Sequence, residues 1–294
     1  MKTKFFEKIG YVKWCFLLPT LIFLMAMAIF PLIWSLSLSF FRWKAAAALP
    51  KTFLGFLNYY QIFFKDARFW NSLRFTIMYA AIGVSIELFL GMGLANLLNG
   101  KIKFRNFFRI LFLLPMASPP IAVAFIWRML FHPDQGVINK ILNMSFGIVP
   151  IKWLTSAKVA PFSLIIVDIW EWTPFMFLAL LAALQSLPPE IYDAASVDGA
   201  SKRQAFLHIT FPLLLPIVTT LVLLRGIDSF KLFDLVFGIT GGGPGISTES
   251  LSYYIYSVGL SYFDVGYACS LSWVFLLLTL AISIFLINRL RKRI

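Results

Sequence analysis

Arg225, Asp228, Lys231 and Asp234 recur at three-residue steps inside an otherwise apolar run. Residues three apart are neighbours on a helix, so the signs alternate into a ladder of zero net charge, which lowers the cost of burial in a low-dielectric medium. Two readings stay open. Arg225, Asp228 and Ser229 offer hydrogen bonds to a polyhydroxyl solute, or the four charges form a structural salt-bridge ladder; the two are compatible if Lys231 and Asp234 are the structural members. Asp168, Glu171, Trp172 and Thr173 place acceptors beside an aromatic face, a combination common in sugar sites, and Pro174 is expected to break the helix there and free backbone carbonyls. Trp170 and Trp172 equally suit an aromatic belt at a membrane interface. Glu87 stands alone between Gly83 and Gly91, four residues to either side. That pattern reads first as a close helix–helix contact with one polar hydrogen bond and second as a cavity residue; Gly266, Ala268, Ser270 and Ser272 make a similar small face. No Ser/His/Asp or clustered-carboxylate arrangement points to catalysis, and Cys15 and Cys269 have no metal-ligand spacing and read as packing residues. The expectation is a chain that is no enzyme, with no metal and no cofactor of its own.

The elements that position these groups follow from composition. Of 294 residues, 60% are hydrophobic and only 13% charged, against about 25% charged in soluble domains. A soluble core of this size could not hide so much apolar surface, so the bilayer is the solvent. Mainly apolar runs at 14–40, 72–98, 107–131, 161–186, 209–239 and 267–288 are each long enough to cross ~30 Å of hydrocarbon. The first continues past Ala26-Met27-Ala28, too far for a signal-peptide core. The net charge of +13 sits in short clusters between the runs rather than on one face, which fits a positive-inside pattern better than a nucleic-acid surface. Lys2 to Lys13, Lys101 to Arg109, Lys202-Arg203 and Arg289 to Arg293 hold 14 basic residues in short segments of one side, against 9 in the longer loops opposite. The richer side is taken as the cytoplasm, with both termini on it. His132 and His208 then fall at opposite membrane faces. The chain reads as a tail, 1–13, and one six-span domain, 14–294. Aromatic stretches at Phe53 to Phe64, Phe69-Trp70 and Ile148 to Trp153 suit the interface on the outer side.

The polar loop from Leu187 to His208 is the most informative interruption. Pro188-Pro189 end the fourth run, and Glu190 and Asp193 put acids in the first turn of a new helix, where its positive dipole end favours them. That helix should close near Gly199. Ser201 and Gln204 have capping-box spacing, so a second short helix starts at once and leads Phe206 and Ile209 toward the membrane. The result is a helix–turn–helix knob whose Ala194, Ala195 and Ala200 allow close packing.

Ile191 to Ala200, followed by Ile209-Thr210-Phe211-Pro212, resembles the EAA loop of binding-protein-dependent ABC importer permeases: Glu-Ala-Ala, three residues, Gly, nine residues, Ile-x-Leu-Pro. The spacing matches throughout; Asp193 replaces the usual Glu and Phe211 the usual Leu. Thr240-Gly241-Gly242-Gly243-Pro244, and Gly93 to Asn99 with Phe107-Phe108-Arg109, resemble the carbohydrate-uptake branch of the MalF type, without its long inserted outer domain. The resemblance implies an all-α membrane protein of the type I importer class, with six spans and a cytoplasmic coupling loop. It implies an ATPase-coupling loop centred on Asp193, Ala194, Ala195, Asp198 and Gly199, a substrate path near Glu171, Trp172, Thr173, Arg225, Asp228 and Ser229, and a binding-protein-facing loop at Gly241, Gly242, Gly243 and Pro244. The implied partners are a homologous second permease, two ATPase subunits, an extracytoplasmic solute-binding protein, the lipid bilayer and a sugar, in a prokaryotic plasma membrane; no nucleic acid is implied. Gly241 to Gly245 lacks the lysine of a phosphate loop, so nucleotide is expected on the separate ATPases. Competing expectations are a permease for another polar solute such as glycerol phosphate, an ion-coupled secondary transporter with Glu87 or Asp228 as proton carrier, and a receptor or channel with no ATPase.

Overall fold

The computed structural model describes residues 14–47, 50–100 and 105–291. The expected tail 1–13 lies outside them, as do Lys101, Lys103, Lys292 and Arg293 of the basic clusters. Helix α1 (Trp14–Ser39) contains a π-helical turn, Met25–Ile29, immediately before Phe30-Pro31. A proline has no N–H to give the preceding turn, so the hydrogen-bond ladder widens there, with the Phe30 amide donating to Met25. A two-residue hairpin follows, β1 (Phe41–Arg42) pairing antiparallel with β2 (Thr52–Phe53), then α2 (Leu57–Phe64). Buried Asn58 donates to the carbonyls of Ser39 and Phe41 at 2.8 and 3.1 Å. Gly266 lies against the Phe41 carbonyl where any Cβ would collide. These segments, up to residue 66 and with 255–276, form one compact unit.

Residues 67–254 make up most of a second unit: α3 (Ala67–Asn99), α4 (Arg105–Ala117), α5 (Pro120–Leu130), α6 (Val137–Phe146), α7 (Ala160–Gln185), α8 (Glu190–Val197), α9 (Lys202–Phe230) and the start of α10 (Leu251–Tyr256). The last helix, α11 (Val265–Arg291), completes the chain. Among the described residues five helices are long and apolar enough to span a membrane, and a sixth span arises if the bent pair α4–α5 counts as one.

Three details depart from the sequence expectation. The run 107–131 is no straight helix: Ile110–Ala117 and Pro120–Leu130 meet at 99°, because Pro119 and Pro120 remove two consecutive N–H donors and Pro119 is held extended. Pro174, by contrast, does not break α7, which runs through it to Gln185; in an apolar surround the intact bonds on either side outweigh the one lost. The fifth run ends its regular helix at Phe230, not near 239. Ser250 takes the Leu232 carbonyl at 2.6 Å, and a separate π-helical turn, Val236–Thr240, stops at left-handed Gly241. Lys231 and Asp234 therefore leave the helix that carries Arg225 and Asp228.

Two apolar clusters hold the second unit. One joins Phe75 and Tyr79 of α3 to Val123 of α5, Leu164 and Val167 of α7 and Val236 after α9; the other joins Val84 and Ala95 of α3 to Met176, Phe177 and Leu180 of α7 and Leu214 of α9. Along α7 the change from one to the other falls at Asp168 to Thr173. Gly91 makes the approach of α3 to α7 possible, since a Cβ there would lie 2.6 Å from the Met176 Cβ and 2.9 Å from the Phe177 nitrogen. Gly93 faces open space. Gly91→Ala is expected to cost about 1–3 kcal/mol through overpacking, and Gly93→Ala to be neutral or stabilising by up to about 1 kcal/mol; thermal unfolding of the two variants in detergent checks the contrast.

Candidate functional site

Arg225 on α9 is 3% exposed and gathers acids from two other spans. Its Nε donates to Glu87 Oε2 at 2.9 Å and its Nη2 to Glu87 Oε1 at 3.1 Å, a fork on a carboxylate that has no exposed surface. Nη2 also donates to Asp168 of α7, and Nη1 reaches Asp228, one turn along α9, at 3.2 Å. The Trp172 ring covers the guanidinium 4.7 Å away, adding a cation–π contact. A bidentate, desolvated arginine pair is far stronger than a surface one, and a buried cation with no such partners is not tolerated. Gly83 has its place here too: a Cβ would come within 3.0 Å of Asp168 Oδ2.

Beside this cluster lies a cavity of about 210 Å³ lined by Asp168, Glu171, Trp172, Arg225, Asp228 and Ser229, with Tyr79, Lys231 and Asp234 also on its wall. Four residues of its wall each carry a buried polar atom with no protein hydrogen-bond partner: Tyr79 Oη, Asp168 Oδ2, Glu171 Oε2 and Ser229 Oγ. Of the residues the sequence nominated, the structure brings Glu171, Trp172, Arg225, Asp228 and Ser229 to one cavity. It does not bring Thr173, which lines a separate apolar groove of about 660 Å³ with Trp170, Phe112 and Pro115. The alternating ladder is also not formed: among the described residues Arg225 and Asp228 pair, but no ion pair joins Lys231 to Asp228 or Asp234. Glu87 was read as a packing residue with one hydrogen bond; it is the principal partner of Arg225, while Gly91 carries the packing.

The knob at 187–208 is built by local chemistry. Ala200 donates to Ala195 at 2.9 Å and Gly199 to Ser196 at 3.2 Å across a left-handed Gly199 with φ +76°, a Schellman closure of α8. Ser201 and Gln204 form the reciprocal capping box that opens α9. Tyr192 is hydrogen-bonded to Thr210 at 2.9 Å, tying α8 to α9. Asp193, Ala194, Asp198 and Gly199 are exposed, while Ala195 is buried and seats the knob. Another π-helical turn, Phe206–Thr210, precedes Phe211-Pro212, repeating the arrangement before Pro31.

The glycine loop is rigid in the same sense. Gly241, Gly242 and Gly245 have φ of +58°, +84° and +64°, values that exclude most side chains. Thr248 donates to the Gly243 carbonyl at 2.6 Å, and Glu249, 1% exposed, takes a fork from Arg68 at 2.7 and 2.6 Å. The sequence reading missed Arg68 and Glu249, which lie 181 residues apart.

Residues 87–294 match the model of the family described as binding-protein-dependent transport system inner membrane component. The chain is 38% identical over 284 residues to the probable ABC transporter permease protein y4oQ of Sinorhizobium fredii, covering 96% of this chain and 91% of that one. It is 35% identical to the trehalose/maltose transport system permease protein MalF of Thermococcus litoralis, covering 99% and 97%. In fold it is similar to a chain from the crystal structure of a bacterial ABC transporter that imports the acidic polysaccharide alginate, with a TM-score of 0.84, 99% of each chain covered and 22% identity.

Arg225→Met is expected to cost about 3–5 kcal/mol because Glu87 and Asp168 stay buried without their counter-ion. Asp228→Asn, at a side chain 51% exposed, is expected to cost under about 1 kcal/mol. The unfolding temperature and the monodisperse yield of the two variants test the difference.

Proposed function

The chain belongs to the family of binding-protein-dependent transport system inner membrane components, and from that premise we propose that it is the translocation subunit of an ATP-driven importer that takes a sugar or oligosaccharide from an extracytoplasmic binding protein. The observation that carries the proposal is the end-to-end match, at 35% identity, to a permease named for trehalose and maltose. It is supported by a cavity of about 210 Å³ among spans that combines carboxylate and hydroxyl side chains with Trp172.

In this reading the knob formed by α8 and the start of α9, with Asp193, Ala194, Ala195, Asp198 and Gly199, docks on one of two separate ATPase subunits, which hydrolyse the ATP. A homologous second permease completes the translocation path. The loop at Gly241, Gly242, Gly243 and Pro244 faces the binding protein, and its rigidity suits a fixed docking platform. The knob and both termini lie in the cytoplasm of a prokaryotic cell in this reading, which the basic clusters support. Closure of the ATPases moves the knob, and α9, continuous from the capping box at Ser201 to Phe230, carries that movement to Arg225 and the cavity wall.

The test is uptake by the complex reconstituted with its ATPases and binding protein across a panel of sugars. Uptake of at least one sugar that requires ATP supports the proposal, and uptake that persists without any ATPase subunit refutes it. Gly199→Pro cannot adopt φ +76°. It is expected to abolish ATP-driven uptake while leaving membrane insertion intact, as measured by uptake and by the amount of folded chain in purified membranes.

A further inference from the structure

We propose that the cavity beside Arg225 recognises uncharged polyhydroxyl solutes and rejects carboxylated or phosphorylated ones, its arginine being already engaged. The inference rests on the importer reading above and narrows its substrate class.

An arginine in a solute cavity ordinarily invites an anion, because its planar fork matches a carboxylate or phosphate. Here four hydrogen bonds already run from the guanidinium, to Glu87, Asp168 and Asp228. They leave a single N–H, on Nη1, and no fork. The ring of Trp172 covers one face. An anion seeking a fork would have to displace Glu87 or Asp168, leaving a buried carboxylate desolvated and unpaired; short of that it can only compete with the half-exposed Asp228 for Nη1.

The rest of the wall has the same preference. Asp168, Glu171, Asp228 and Asp234 face the space, and Glu87 lies behind them, against the two cations Arg225 and Lys231. Of the wall's buried atoms that lack partners, Asp168 Oδ2 and Glu171 Oε2 are carboxylate oxygens, and the Tyr79 and Ser229 hydroxyls can accept as well as donate. Against four carboxylates, the Lys231 ammonium, the Tyr79 and Ser229 hydroxyls and the one Nη1 hydrogen leave the wall short of donors. A sugar hydroxyl brings one and can accept from the remaining Nη1 hydrogen. A carboxylate or phosphate brings only further acceptors and negative charge, to a space where like charges already crowd. Trp172 adds an apolar face for the C–H side of a pyranose ring.

The experiment measures equilibrium binding to the full permease–ATPase complex without binding protein, by saturation-transfer NMR. The probes are maltose and trehalose and their analogues with the primary alcohol oxidised to a carboxylate. Each neutral sugar is expected to bind about tenfold or more tightly than its carboxylate. In Glu171→Gln/Asp234→Asn that ratio is expected to narrow several-fold; Asp228→Asn, at the half-exposed rim, supplies the same comparison if the double variant does not fold. Carboxylates that bind as well as the neutral sugars, a ratio unmoved by removing the acids, or no binding of either neutral sugar overturns the inference while ATP-driven sugar uptake persists. Absence of any sugar uptake overturns the importer reading, and this inference with it.

Discussion

A buried arginine in a chain whose solvent is lipid constrains everything around it. Arg225 cannot be left to hydrocarbon, so it fixes which elements must meet: Glu87 from α3 and Asp168 from α7 supply the counter-charge. For those carboxylates to reach it, α3 and α7 must run close, and the glycines at 83 and 91 are what permits that. The apolar clusters on either side then exclude water from the pair. The cavity lies on the remaining side, where Asp228, Glu171 and Ser229 line it.

The same helix that carries Arg225 begins in the knob. From Lys202 to Phe230 α9 has 29 residues, about 40 Å at 1.5 Å per residue, so one helix joins the capped knob to the cavity wall. Its two ends are rigid for different reasons. At the knob the rigidity is local hydrogen bonding, through the Schellman closure at Gly199 and the box at Ser201. At the cavity it is ionic and comes from three helices. A motion entering at the knob therefore arrives where α9, α7 and α3 are pinned to one another.

Local chemistry was legible in the sequence, and long-range pairing was not. The end of α8, the capping box and the six apolar runs depend on residues within a few positions of one another, and the structure places the α8 closure and the capping box where their signals stand. Glu87 and Arg225 are 138 residues apart, Asp168 and Arg225 57; nothing in spacing links them, so the neighbours Lys231 and Asp234 looked like the natural partners. The helix ends at Phe230 before either can pair, and just beyond it Ser250 takes the Leu232 carbonyl. Proline misled in both directions: one within α7 was absorbed, and two in succession before α5 turned the chain. The knob's resemblance to the importer loop was legible because the motif is contiguous.

The central claim is that solute passes through the space beside the clasped arginine. Lys231 lines that space, is exposed and belongs to no ion pair among the described residues, so a cysteine there reports on the cavity without disturbing the clasp. In a complex whose Cys15 and Cys269 are replaced by serine, the measurement is the rate at which Lys231→Cys reacts with a small, water-borne thiol reagent. A sugar that the complex transports is predicted to slow the reaction several-fold; an unchanged rate at saturating concentrations of that sugar would contradict the account.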